Sequence, residues 1–133
     1  MGMGNNSLGY LASPYSHHDP KVVEYRFKET AYMAAQLMAQ RRYVFSPIAM
    51  CHPMAFSKCQ LPGDFEFWNE FDIIMIKLCD YLIIFPLDGW TKSSGIREEV
   101  KIAKKWNKPI FVIRMDKNHV FLGMDPYKGE CNG

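Results

Sequence analysis

Short apolar runs alternate along the chain with stretches of helical period. Leu8 to Ala12 is an apolar run closed by Ser13-Pro14, the pattern of a buried strand. Asp19-Pro20 marks a helix start, with Asp as the cap and Pro at the first helical position. Val23, Phe27, Ala31, Ala34 and Met38 then recur at helical spacing and predict a core-facing stripe. The helix is expected to end near Arg41-Arg42, where cations suit the C-terminal dipole. Tyr43 to Phe45 reads as a second strand stopped by Ser46-Pro47. From Ile48 to Gly63 no period holds, and Pro53 and Pro62 interrupt the run, so it reads as a long irregular loop of the kind that usually carries function. Asp64 is placed to cap a second helix reaching Leu78, and Tyr81 to Phe85 is uniformly apolar, as in a strand covered on both faces. Asp88-Gly89 makes a turn, Ser93 or Ser94 opens a third helix to about Asn107, and Pro109 to Arg114 forms a further strand. The last stretch is weakly patterned, with Val120 to Leu122 as a candidate extra strand.

The order strand–helix–strand, repeated, predicts a single α/β domain: a doubly wound parallel sheet of four to five strands with helices on both faces. It is expected over residues 8–114, after a frayed segment 1–7 and before a tail 115–133. Ligands in such folds bind beyond the C-terminal strand ends. Here those ends lead into Ser13–Asp19, Ser46–Pro53, Pro86–Ser94 and Arg114–Asn118.

Composition narrows the class. With 133 residues, 48% hydrophobic and 23% charged, the chain has ordinary globular usage and room for one core. A formal charge of +2, evenly spread, gives no nucleic-acid site. The longest apolar run, Tyr81 to Phe85, is far short of a membrane span, and Met1 to Asn6 has no leader-like pattern, so no membrane partner and a cytoplasmic location are expected. Cys51, Cys59, Cys79 and Cys131 form no C-x-x-C pair and read as free thiols. His17, His18, Cys51, His52 and Cys59 have ligand chemistry for zinc but no supporting spacing, so no metal and no cofactor is assigned.

Two carboxylates stand in unusual places. In the helix 64–78, Glu66, Asn69, Glu70 and Lys77 share a polar face, while Asp72 falls among Phe65, Trp68, Met75 and Cys79. An ionised carboxylate in an apolar stripe costs several kcal/mol unless partnered or hydrated by a cleft. Asp72 is thus either a structural acceptor for a backbone N–H or tyrosine hydroxyl, or an acid facing a pocket with a raised pKa. The second case is Asp88-Gly89-Trp90-Thr91-Lys92-Ser93-Ser94-Gly95-Ile96-Arg97-Glu98-Glu99, where small hydroxyl residues and a glycine open a helix suited to an anionic or polar ligand. Its acids either decorate a helix start or supply a carboxylate held ionised by the dipole.

These strings resemble the nucleoside 2-deoxyribosyltransferase-like superfamily, and within it the small DUF1937 group. The resemblance rests on Tyr10-Leu11-Ala12-Ser13-Pro14-Tyr15-Ser16-His17 followed by Arg26-Phe27, on Val44-Phe45-Ser46-Pro47-Ile48 with His52-Pro53, on Pro86-Leu87-Asp88-Gly89-Trp90, and on Ser93-x-Gly95-x-x-x-Glu99. It implies a flavodoxin-like (Rossmann-like) fold and attack on an N-glycosidic bond. The motif Glu falls on Glu99 as nucleophile, the family's leaving-group Asp on Asp72, and the first-strand tyrosine on Tyr10. Ser13, Tyr15, Ser16, His17, Arg26, His52, Asp88, Trp90, Ser93 and Gly95 are the candidate substrate-binding residues. The phosphate loop of characterised hydrolases has no counterpart in Ser13-Pro14-Tyr15-Ser16-His17-His18, and Ser16, His17, Arg26 and Ser93 are the substitutes at hand.

The expected activity is cleavage or transfer at the N-glycosidic bond of a (deoxy)nucleoside or nucleoside 5′-monophosphate through a covalent glycosyl-Glu99 intermediate. Double displacement of this kind, by analogy with retaining glycosidases, places two carboxyls about 5–5.5 Å apart. Trp90, Tyr15 and Phe56 are candidates for stacking on the base. The alternatives are a nucleotide-sequestering module without turnover, and a glycohydrolase of NAD or cyclic ADP-ribose. Nine Phe, seven Tyr and three Trp in so short a chain, and the apolar circumference of helix 64–78, predict a homo-oligomer.

Overall fold

In a computed structural model, residues 7–62 and 65–129 are described, with Phe65 by its backbone alone. Asp64 and Cys131 lie outside the described residues. The elements are β1 (Gly9–Ala12), α1 (Pro20–Ala39), β2 (Val44–Phe45), α2 (Pro47–Ala55), α3 (Phe65–Leu78), β3 (Tyr81–Ile84), α4 (Ser94–Lys105), β4 (Ile110–Met115) and β5 (Phe121–Pro126). A short 3-10 turn, Trp90–Lys92, precedes α4. The strands form one sheet in the order β2-β1-β3-β4-β5.

The uniformly apolar strands reflect a sheet covered on both sides. Tyr10, Ala12, Leu82 and Ile84 project to one face, where Ile76 of α3, Cys79 just after it, and Ile96, Val100 and Ala103 of α4 meet them. Their neighbours Leu11, Tyr81 and Ile83 project to the other face and pack with Met33 and Leu37 of α1. Period-two alternation thus feeds two cores from the same four-residue strands.

Four expectations are corrected. The first four strands pair in parallel, but β5 runs antiparallel to β4 from Phe111↔Pro126 to Met115↔Phe121, so the sheet is mixed. Phe121 is buried in the second core, and the segment set apart as a tail returns to the sheet of its own chain. The irregular stretch 48–63 begins as α2: the Ser46 side chain accepts from the Ala49 N–H at 3.1 Å, and Pro47 takes the first helical position, where its missing N–H costs nothing. In α1 the fully buried residues are Thr30, Met33 and Leu37, whereas Met38 is exposed. The predicted stripe advanced more than the roughly 3.6 residues per turn of a helix and drifted off the core-facing side.

Candidate functional site

β1 and β3 lie side by side, and the helices α3 and α4 pack on the face to which Tyr10 points. This brings Asp72 and Glu99 into one cavity of about 470 Å³. Both are buried, Asp72 at 6% and Glu99 at 8% exposure. Tyr10 has no exposed surface, and its hydroxyl donates to Glu99 Oε2 at 2.7 Å. Asp72 Oδ1 is buried without a hydrogen-bond partner among the described residues. An unmatched buried acceptor of this kind is costly for folding alone.

Burial sets the protonation of the pair. Desolvation pushes the Glu99 carboxyl up to about 8, with the Tyr10 hydrogen bond pulling down and the nearby Asp72 charge adding to the rise. Desolvation likewise raises Asp72 to about 6, against a lowering interaction with the Tyr10 hydroxyl. The Tyr10 phenol is itself held well above its usual range by burial and the two carboxyls, so it stays a proton donor. Ser93 caps α4 through its Oγ to the Ile96 N–H at 3.2 Å, which puts Glu99 beyond the first turn, where the dipole has faded and desolvation prevails. Near neutral pH the resting pair holds a proton between its two coupled carboxyls.

The other walls come from the strand ends. Ser13 is buried, lines the cavity and accepts from the Thr30 hydroxyl at 3.2 Å. Tyr15 and His52 line it together, with Tyr15 Oη 2.6 Å from His52 Nδ1. Ser16 and His17, on the same loop, are exposed at its rim, and His17 Nδ1 accepts from the Asp19 N–H at 3.0 Å. Ser93 and Gly95 line it from the start of α4.

Arg26 reaches from α1 to tie two loops. Its guanidinium donates to the Ser16 carbonyl at 2.9 Å and the Asp88 carbonyl at 3.2 Å, so no carboxylate neutralises it in these contacts. Gly89 is needed beneath it: φ is +92°, and a Cβ there would stand 2.8 Å from Arg26 Nη2. Lys92 also lines the cavity, so Arg26 and Lys92 put two cations on a wall that the carboxyls share.

Four candidates are not on the cavity wall. Tyr10 lies buried behind it and reaches Glu99 through its hydroxyl. Asp88 contributes its carbonyl to Arg26. Trp90 turns into the first core and meets Tyr127 at 6.4 Å between ring centroids. Phe56 is 73% exposed and packs against His52 from the far end of α2. In their place stand Trp68, and Ile48, Cys51 and Ala55 of α2. Trp68 lies one helical turn before Asp72, a spacing that marks a shared face. The α2 residues had no readable period. Burial and the Asp72 charge push the Cys51 thiol up to about 11, leaving it neutral.

Among the described residues no three of His, Cys, Asp and Glu group to hold a metal ion, and no helix is long and apolar enough to cross a membrane.

Comparison with protein families fits this arrangement to a known group. The domain of unknown function DUF1937 matches residues 8–115. The chain belongs to this family. The DUF1937 match runs from the start of β1 to the end of β4, and so spans Tyr10, Asp72 and Glu99 together with every element that lines the cavity. No curated protein matches the chain.

Proposed function

We propose that this DUF1937 protein cleaves or transfers the N-glycosidic bond of a (deoxy)nucleoside or nucleoside 5′-monophosphate, as a member of the nucleoside 2-deoxyribosyltransferase-like superfamily with a flavodoxin-like fold. The observation that carries this reading is the convergence of two buried carboxyls from neighbouring helices on one cavity, with the Tyr10 hydroxyl on Glu99. The parallel strands run in the order 2-1-3-4, which matches the first four strands of the flavodoxin-like order 2-1-3-4-5 and supports the fold assignment, while the antiparallel β5 departs from it.

In the reaction, Glu99 attacks C1′ as the C1′–N bond breaks, and the departing base takes a proton from Asp72. Water or a second base then displaces Glu99 from the sugar. Attack requires Glu99 ionised and Asp72 protonated. The proton that the pair holds must therefore be transferred to Asp72 in the reacting state, and Tyr10, which interacts with both carboxyls, links them. Developing positive charge on the sugar favours the same transfer, because it stabilises an ionised Glu99. Arg26 and Lys92 favour a substrate bearing a phosphate.

The active form is proposed to be a homo-oligomer. Ile74 and Leu78 of α3 are 48% and 68% exposed, and Trp106 beyond α4 is 42% exposed. Lys77 Nζ, 4.3 Å above the Trp106 ring, places that indole beside the end of α3.

Incubation with nucleosides, their 5′-monophosphates, NAD and cyclic ADP-ribose, followed for free base, tests the reading. Release from nucleosides or monophosphates, abolished by Glu99→Ala and little changed by Glu98→Ala, supports it. Glu98 is paired at the surface with Lys101 at 3.4 Å and serves as the control. Release from NAD or cyclic ADP-ribose alone favours the glycohydrolase alternative. Tight binding without release favours a sequestering module.

A further inference from the structure

His52 is clamped from all sides. It is buried in α2, with its ring stacked on Phe27 at 4.2 Å and edge-on to Tyr15 at 5.6 Å. Both ring nitrogens are engaged: Nε2 stands 3.1 Å from Glu24 Oε1, and Nδ1 stands 2.6 Å from Tyr15 Oη. A carboxylate only accepts, so Nε2 must carry a proton. In the neutral imidazole Nδ1 is then a lone pair, and the Tyr15 hydroxyl must donate to it. This commits the single proton of Tyr15. What remains on its oxygen is acceptor capacity, held by a buried imidazole whose own orientation is fixed by α1.

Tyr15 and His52 both line the cavity. Their neighbourhood is the apolar wall. Cys51 and Asp72 line the same cavity, and Ile48 and Ala55 of α2 and Trp68 complete the surround. The acid that meets the leaving group in the proposed reaction thus shares its compartment with Tyr15. We propose that Tyr15 is a specificity-determining residue, set by the Glu24–His52 pair to present only lone pairs, so that it selects bases bringing an amino N–H to that wall. The inference rests on the reading of the cavity as a base-binding site. Glu24 and His52 are positioning residues, because they act through Tyr15.

The relay has a signature that needs no ligand. Nitrogen-15 NMR of the four histidines, with His52 assigned by its loss in His52→Asn, should show a pyrrole-like Nε2 and a pyridine-like Nδ1 near neutral pH. Glu24→Lys sets a donor against Nε2 and should exchange the two signatures. The opposite tautomer in the wild type, or a ring protonated on both nitrogens, overturns the proposal.

Selectivity is read with adenosine against purine riboside, and cytidine against 2-pyrimidinone riboside, since each pair differs only by one amino group. Wild type should bind the amino member of at least one pair about three- to tenfold more tightly, the worth of one ordinary hydrogen bond. Tyr15→Phe should bring that ratio to about one. Equal affinity within both pairs in the wild type, including no measurable binding of any member, overturns the role of Tyr15. So does a ratio that survives in Tyr15→Phe. Base release from the wider panel, measured alongside, separates that failure from failure of the carboxylate reading.

Discussion

Replacing Glu99 by Gln should stabilise the protein and silence it at once. The amide keeps the volume of the side chain and still accepts from the Tyr10 hydroxyl, which now sits 2.7 Å from Glu99 Oε2. What it removes is the work of keeping a desolvated carboxyl neutral. The folded protein holds Glu99 up at about 8 from an ordinary 4.5. Between those values the folded chain binds a proton that the unfolded chain has released, so the Glu99 contribution to stability is full below pH 4.5 and is lost as pH rises through 8. At pH 7 that loss, relative to acid conditions, is about 3 kcal/mol at roughly 1.4 kcal/mol per pH unit. Glu99→Gln does not titrate and escapes it. Urea unfolding of both proteins at pH 5 and pH 8 should show nearly equal midpoints at the lower pH, with Glu99→Gln ahead by about 1 M or more at the higher, given a slope of about 1–3 kcal/mol per M. Base release should fall below detection in the same variant. A gap that does not widen with pH, or a variant weaker than wild type at pH 8, would refute the reasoning that desolvation governs this carboxyl.

Asp72→Asn should behave in the same direction with a smaller stability gain, because Asp72 is raised only to about 6, and it should slow turnover without loss of folding; ready unfolding with full specific activity would mark Asp72 as structural. The pH profile of kcat/KM should be bell-shaped with limbs near 6 and 8, values that belong to the pair and not to either residue, and a profile flat between pH 5 and 9 would contradict the coupled carboxyls. Light scattering at micromolar concentration should give at least twice 15.5 kDa, and a monomer with full activity would dismiss the oligomer.

What the sequence reveals here follows from how local each cause is. The apolar strands and the Asp19-Pro20 and Ser93 helix starts are local patterns, and the structure has elements at all of them. The helical wheel singles out Asp72 because a charge among apolar positions is visible without any partner. Helix α2 is hidden for a chemical reason: Ser46-Pro47 carries the same cap-and-proline signal as Asp19-Pro20, but Pro53 inside the helix removes a backbone donor and masks the continuation. Trp90 shows the limit from the other side. Its place beside the cap serine suggests a pocket wall, yet whether an indole turns inward depends on Tyr127, which comes from the far end of the chain. The antiparallel β5 is a choice of direction made after a turn, and a short apolar run such as Val120 to Leu122 carries no directional signal. The elevated pKa of Glu99 is likewise a property of everything packed around it.

The two margins of the sheet restrict how copies of this chain can meet. One margin is β2, only two residues long, which offers too little free backbone to template a neighbouring strand. The other is β5, whose outer rim carries the proline at 126 and an Asp125 engaged by Arg114 at 3.2 Å. Such margins resist growth by strand addition, the route by which small α/β domains run into fibrils or swapped ladders. The proposed assembly is thereby directed to side-chain surfaces on the helices, where it would close after a fixed number of copies instead of propagating. A protein of this design can expose an apolar helix face for self-association and still be guarded against open-ended polymerisation.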